Sequence, residues 1–217
     1  MINKYKQKTK TTLIGTLIMQ ELEVMSVAKS CLSFPDKTSS AVDRSNFLKL
    51  IEDILSGEIK IAIVEGEEGS GKTSLLSQFS TLNCNDTISL FVNKYSRLSY
   101  EHKFIISDLC NQLSWYLDIQ DNFNKDELSK DILIKLWIEL KRKTLRTSRI
   151  VYLVIDGLFE LEDNQIIESI LDLFPLDYSG FKYIFSTENP TYPGIFFQKF
   201  NYKSLTLPLF SILEIKE

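Results

Sequence analysis

The residues best equipped for chemistry stand together between positions 66 and 74. Gly66-Glu67-Glu68-Gly69-Ser70-Gly71-Lys72-Thr73 satisfies the pattern G-x-x-x-x-G-K-[ST] at every fixed position, and Ser74 follows. The spacing has a physical cause. Glycines let the backbone wrap a phosphate chain with its N–H groups inward, forming an anion nest at a helix N-terminus. Lys72 would then reach the β- and γ-phosphates, and the Thr73 hydroxyl would hold Mg²⁺. An apolar, β-branched run (Ile59, Ile61, Ala62, Ile63, Val64) leads into the loop, and an apolar helical pattern leaves it towards Phe79. Strand, loop and helix are the context this pattern needs. The stretch reads as a nucleotide-binding loop with residues 66–74 as its contacts.

Such a loop needs an acid facing it. Val151-Tyr152-Leu153-Val154-Ile155 is almost wholly apolar, as a strand buried on both faces should be, and it ends on Asp156. A carboxylate there comes level with the loop at the C-terminal edge of a parallel sheet, where it joins Thr73 in the Mg²⁺ shell. A further strand over Thr87 to Asn93 lies between the two motifs in sequence. It suggests that loop strand and acidic strand are separated in the sheet by another strand, the arrangement of the additional-strand P-loop ATPases. Asn93-Lys94-Tyr95-Ser96 begins like a guanine reader but has Ser96 where aspartate is required, so ATP is the expected nucleotide. Hydrolysis needs a group that orients or activates water. Glu160 is the nearest acid after Asp156, although a charged loop residue in Leu158–Asn164 is an equally good description of it. Thr187 or Asn189, at the tip of the last apolar strand, are candidates for sensing the γ-phosphate.

The elements that would position these groups follow from periodicity. Phe47, Leu48, Ile51, Ile54 and Leu55 share one helical face, with Gly57 where a C-terminal cap would sit. A helix is expected over 72–80, then the strand at 87–93. Two amphipathic helices follow, one carrying Ile105, Leu109, Leu113 and Tyr116, the other Ile132, Leu133, Leu136, Trp137 and Leu140. Asn124 and Glu127 form a capping box between them. Lys141, Arg142, Lys143, Arg146 and Arg149 cluster where the second helix ends. Favourable placement against the helix dipole explains them more simply than a nucleic-acid surface does. A helix over 163–174 and a strand over 182–186 complete the pattern. Strands alternating with helices imply an α/β fold with a mostly parallel sheet and helices on both faces, a three-layer sandwich. Residues 1–40 read as an N-terminal helical and linker segment, with a helix from about Leu13 to Leu32, and residues 41–217 as the nucleotide-binding domain.

Composition narrows the classes. Of 217 residues 44% are hydrophobic and 25% charged, ordinary for a globular chain able to build a core without staples. A net charge of −4 argues against a general nucleic-acid binder. Cys31, Cys84 and Cys110 are widely spaced and odd in number, so they read as free thiols of a reducing compartment. The single histidine, His102, has no evident partner and reads as a surface residue. No run is long enough to span a membrane, and the short apolar stretch after Lys4–Lys10 lacks a cleavage site, which makes the cytoplasm the expected location.

In order along the chain, Val42-Asp43-Arg44 before a helix, GEEGSGKTSLL, SDLCNQL, VYLVIDGLFELED and FKYIFSTENP resemble the NACHT-type NTPase module of the STAND class over roughly residues 41–217. The nearest flavour is the nephrocystin- and telomerase-associated-protein-like group, with Leu109-Cys110 and Ile184-Phe185-Ser186-Thr187 as familiar features. The resemblance implies a nucleotide-dependent switch whose nucleotide state governs opening, protein partners or self-association. It makes Gly66, Gly69, Gly71, Lys72 and Thr73 phosphate and Mg²⁺ contacts, Asp156 the Walker B acid, and Arg44 a neighbour of the adenine side. Three departures bear on activity. Phe159 stands where many NACHT members carry a second acid, so hydrolysis is expected to be slow. Asn189-Pro190 stands where many carry an arginine. The final stretch, from Leu207-Pro208-Leu209-Phe210 to Glu214, looks like the opening of a lid, so the chain is expected to be a fragment, a truncated product or a core that works with another chain. A conventional ATPase or kinase in which Glu160 supports turnover is the alternative, and an interaction module is another. For the latter, Phe196, Phe197, Phe200 and Tyr202 either meet a partner or pack under the sheet, and packing is the simpler expectation.

Overall fold

A computed structural model describes residues 31–35, 44–119 and 128–210. The helix expected before Cys31, the capping box at Asn124 and Glu127, and the chain beyond Phe210 lie outside the described residues.

Helix α1 spans Ser45–Ser56, strand β1 Ile61–Glu65, helix α2 Lys72–Leu82 and strand β2 Thr87–Phe91. Helices α3 (His102–Leu117) and α4 (Lys130–Thr147) come next, then β3 (Val151–Asp156), α5 (Asn164–Leu171), β4 (Phe181–Thr187), the short α6 (Tyr192–Phe196) and β5 (Tyr202–Thr206). The five strands form one parallel sheet in the order β2-β3-β4-β1-β5. Fold class and layering are therefore as the alternating pattern implies.

The separating strand is β4, which lies between β1 and β3 and pairs with both. β2, the strand that stands between the motifs in sequence, lies at the sheet edge. Side chains of period two feed two cores. Ile61, Ile63, Leu153, Ile155, Tyr183 and Phe185 enter the layer under α3, α4 and α5, while Ala62, Val64, Val154 and Ile184 meet α1 and α2. All ten are fully buried, which is why these strands read as unbroken apolar runs.

Several ends differ from the sequence reading. β2 stops at Phe91, and α5 stops at Leu171, although Leu173 and Phe174 remain buried in the turn that follows. α4 is capped by Ser129, whose hydroxyl accepts from the Ile132 N–H. Gly57 closes α1 with extended rather than left-handed backbone, and its carbonyl is taken by Lys182 Nζ at 2.7 Å. β5 carries no apolar periodicity and is largely exposed at the sheet edge; only its pairing with β1 defines it. Of the aromatics weighed as a partner surface, Phe197 is fully buried and packs on Phe159, Phe185 and Phe200, while Tyr202 stays partly exposed.

Residues 31–35 are tied to the domain. Leu32 and Ser33 donate their N–H groups to the Asp108 carboxylate on α3 at 2.7 and 3.1 Å, the Ser33 hydroxyl receives the Phe91 N–H, and Phe34 meets the Phe91 ring edge-on.

Candidate phosphate-binding site

The site lies at the C-terminal edge of the sheet, where β1, β3 and β4 end together. β1 passes into the loop at Gly66, whose N–H donates to Thr187 O at 3.1 Å and so fixes the loop to the tip of β4. Gly71 caps α2 with φ +86°, a left-handed conformation that costs other residues roughly 1–2 kcal/mol. Space is short there as well, because a Cβ would stand 2.6 Å from the Phe210 ring. α2 starts at Lys72, so its first N–H groups face the loop.

Lys72 is buried with its ammonium among oxygens. Nζ donates to Gly66 O at 2.9 Å and Glu67 O at 3.1 Å, and the carboxylates of Glu160 and Glu188 stand at 3.8 and 3.7 Å. Thr73 Oγ1 donates to Asp156 Oδ2 at 2.6 Å, joining the two halves of the site across the sheet. Asp156 Oδ1 is buried and has no partner, and neither has the buried Ser70 hydroxyl. Burial lifts the Asp156 carboxyl above its ordinary range. The same cause raises Glu160, with the charges of Glu188 and Asp156 adding to it.

The residue after Asp156 has to be glycine. Gly157 has φ +72°, and a Cβ there would lie 2.1 Å from the Val92 carbonyl. Val92 in turn donates its N–H to Asp156 O at 2.9 Å, so the exit of β2 crosses tightly over the acid. A single 3₁₀ turn, Leu158–Glu160, then carries Glu160 to Lys72 and points Phe159 the other way. Phe159 packs against Phe185, Phe196 and Phe197 with ring centroids 5.5 to 5.7 Å apart. That is why no acid stands at 159: the position belongs to the aromatic core.

The remaining expected contacts divide. Gly69, Gly71, Lys72, Thr73, Ser74, Glu68 and Glu160 line one cleft of about 730 Å³, which continues along α2 to Phe34. Ser74 Oγ accepts from Gln78 Nε2 at 3.4 Å, and Glu67 contributes its carbonyl to Lys72. Arg44 does not line the cleft. Its two terminal nitrogens donate to Pro208 O at 3.1 Å, and its guanidinium lies 4.1 Å from the Phe210 ring centroid. Thr187 is buried and engaged with the Asn189 backbone, and the Asn189 side chain caps the turn at Thr191. The residue that this strand end brings to Lys72 is Glu188. The sequence pattern points to Thr187 and Asn189 at this strand end, not to Glu188, and to Lys94 only as part of a guanine reader. An acid directly after the strand's Ser186-Thr187 was the available signal.

No family model matches this chain, and no curated protein matches it. Solved structures do. The Walker-type ATPase PABY2304 of Pyrococcus abyssi superposes with a TM-score of 0.57 at 16% identity, over 84% of this chain and 59% of that one. Drosophila ORC bound to AT-rich DNA and Cdc6 gives 0.48 at 14% identity, over 92% and 62%, and C. elegans PCH-2 gives 0.44 at 12%, over 85% and 48%. The fold is that of a P-loop NTPase. This chain spans less than two thirds of the length of each of these structures.

A P-loop of this kind fits a nucleotide polyphosphate and a divalent cation on its own chemistry. The unpartnered Asp156 Oδ1 and the Thr73 hydroxyl are hard oxygen donors suited to Mg²⁺. Lys72, the N-terminus of α2 and the orphaned Ser70 hydroxyl would meet phosphate oxygens. Bound Mg²⁺ would supply charge neutralisation at the phosphates. Among the described residues no helix is long and apolar enough to cross a membrane.

Proposed function

We propose that the chain is the ATP-binding core of a nucleotide-dependent switch of the STAND type, acting in the cytosol through protein partners or self-association, with slow hydrolysis. The observation that carries it is the pair Thr73–Asp156, closed at 2.6 Å with the second aspartate oxygen left free, directly beside a buried Lys72. That geometry serves Mg²⁺-dependent retention of a nucleotide. The order of motifs along the chain supports the class, and Phe159 in the aromatic core supports slow turnover, because the second acid common in NACHT modules has no place to stand. ATP affinity of wild type and Lys72→Ala, each with and without Mg²⁺, tests the reading. Affinity should fall about a hundredfold in the variant, the worth of a charge-assisted contact to phosphate; equal affinities would sink it.

Turnover as the product is the second reading, favoured by one observation: Glu160 stands 3.8 Å from Lys72 with a raised carboxyl, suited to accepting a proton. A steady-state rate above about 1 s⁻¹ that disappears in Glu160→Gln would favour it over the switch, since kinases work at roughly 1–100 s⁻¹.

A further inference from the structure

Glu188 holds two lysines at once. Its Oε1 lies 3.7 Å from Lys72 Nζ and its Oε2 lies 3.9 Å from Lys94 Nζ. Lys94 also reaches across to Glu68 in the phosphate loop at 3.9 Å, and its Nζ lies 5.3 Å from the Tyr95 ring centroid. One carboxylate therefore bridges two ammonium groups through its two oxygens, at the edge of the phosphate cleft that Glu188, Glu68 and Lys72 line. A terminal phosphate presents the same chemistry with more charge and a third oxygen.

The position of Lys94 is built rather than incidental. Val92 is pinned to the Asp156 carbonyl and closes over Gly157, which leaves Lys94 two residues further on, above the acidic side of the loop. The turn that carries it is locked. Asn93 N–H donates to Ser99 Oγ at 2.9 Å, the single Ser99 hydroxyl proton is shared between the carbonyls of Asn93 and Ser96, and Asn93 Oδ1 accepts from Tyr95 N–H at 2.9 Å. Lys94 is a quarter exposed, and its Nζ is held between Glu188 and Glu68, both of which line the cleft.

We infer that Lys94 is a second phosphate-contacting lysine which, with Lys72, grips the terminal phosphate of a nucleoside triphosphate, and that this phosphate takes both ammonium groups over from Glu188. Lys94 is thus the residue by which the site distinguishes triphosphate from diphosphate. The inference rests on the nucleotide-binding reading above. In a diphosphate complex Lys72 keeps its phosphate partner, while Lys94 stays with Glu188 and Glu68.

Calorimetric titration of the whole chain with Mg²⁺ and either β,γ-imido-ATP or ADP tests this, using wild type, Lys94→Met, Glu188→Gln and Lys72→Ala. Lys94→Met keeps the stem and loses only the charge. It should weaken the triphosphate analogue about tenfold to a hundredfold, the range of a charge-assisted contact, and change ADP by no more than about twofold. Glu188→Gln removes the competing anion and should tighten the triphosphate several-fold. Equal losses for both nucleotides in Lys94→Met, no loss for either, or weaker triphosphate binding in Glu188→Gln would each overturn the role given to Lys94. Those outcomes leave the nucleotide site standing as long as Lys72→Ala still weakens binding of both nucleotides about a hundredfold. Indifference to Lys72→Ala would remove both.

Discussion

Asp108 and Asp156 are both buried carboxylates, both raised by desolvation, yet they do different work. Both carboxylate oxygens of Asp108 are used. Oδ1 accepts from Leu32 N–H at 2.7 Å and Gln112 Nε2 at 3.0 Å, and Oδ2 accepts from Ser33 N–H at 3.1 Å with the Cys31 thiol at 4.0 Å. Gln112 extends the network by exchanging two bonds with the Ser89 backbone. Asp156 accepts from Thr73 at 2.6 Å, lies close to the Ser186 hydroxyl and the Gly157 N–H, and leaves Oδ1 without a well-formed hydrogen bond in a place that water does not reach. A satisfied buried acid fastens structure, here the segment before α1 to the α3 face. In the function proposed above, a half-satisfied one is held ready for a cation, because leaving a buried oxygen unpaired costs free energy that a ligand can return.

The comparison is sharpest where an acid is put in a site with no donors at all. Phe159→Asp sets an acid among Phe185, Phe196 and Phe197. Losing the ring alone should cost about 3–5 kcal/mol, and the unpaired charge adds to it. Denaturant unfolding should show the variant barely folded or unfolded at neutral pH. Stability close to wild type would mean that Phe159 could turn its side chain into the cleft, and the account of slow hydrolysis would lose its basis.

Asp108→Asn should come next. Whichever way the amide turns, its NH₂ faces a buried donor, Leu32 N–H and Gln112 on one side or Ser33 N–H on the other. A loss of roughly 2–3 kcal/mol is expected in chemical denaturation, with ATP affinity of the folded protein unchanged. An equal loss of nucleotide binding would break the division between the two acids.

The smallest effect on stability belongs to Asp156→Asn. Thr73 can still donate to the amide oxygen, and the Ser186 hydroxyl beside it can accept from the new NH₂, so the thermal midpoint without nucleotide should equal or exceed that of wild type. Mg²⁺ should then cease to strengthen ATP binding, a loss of at least about tenfold, or 1.4 kcal/mol. The pH dependence follows from the sign of the shift. A carboxyl raised by burial destabilises the folded protein when charged, so its cost is present at neutral pH and fades as pH falls into the ordinary carboxylate range. Asp108 shifts alike in both proteins and cancels in the difference, while Glu160 loses the part of its rise that the Asp156 charge supplies, which adds to the advantage of the variant at neutral pH. The advantage of Asp156→Asn should therefore be largest near pH 7 and vanish towards pH 4. An advantage that grows on acidification would reverse the assignment.

Legibility along the chain followed the range of the forces involved. The loop at 66–73 could be read because every requirement on it is local: left-handed backbone at Gly71, a long cation next to it, a hydroxyl one residue on. β1, β3 and β4 could be read because burial on both faces leaves no alternation to misinterpret. β5 was invisible, since Tyr202–Thr206 has one paired edge and exposed side chains, and its existence depends on β1 beside it. Glu188 and Lys94 were passed over because their significance is a distance, set by β4 and β2 ending at the same height.

The sequence by itself determined the phosphate loop, the acidic strand and the parallel α/β class, because short-range sterics and two-sided burial leave their mark residue by residue. Only the tertiary structure decided that β4 rather than β2 parts the two motifs. It alone turned Phe159 into the core and Glu160 into the cleft, and it left one oxygen of Asp156 without a partner while giving every oxygen of Asp108 one. Those outcomes depend on which groups meet across the sheet, and pairing between distant residues is what a one-dimensional pattern does not carry.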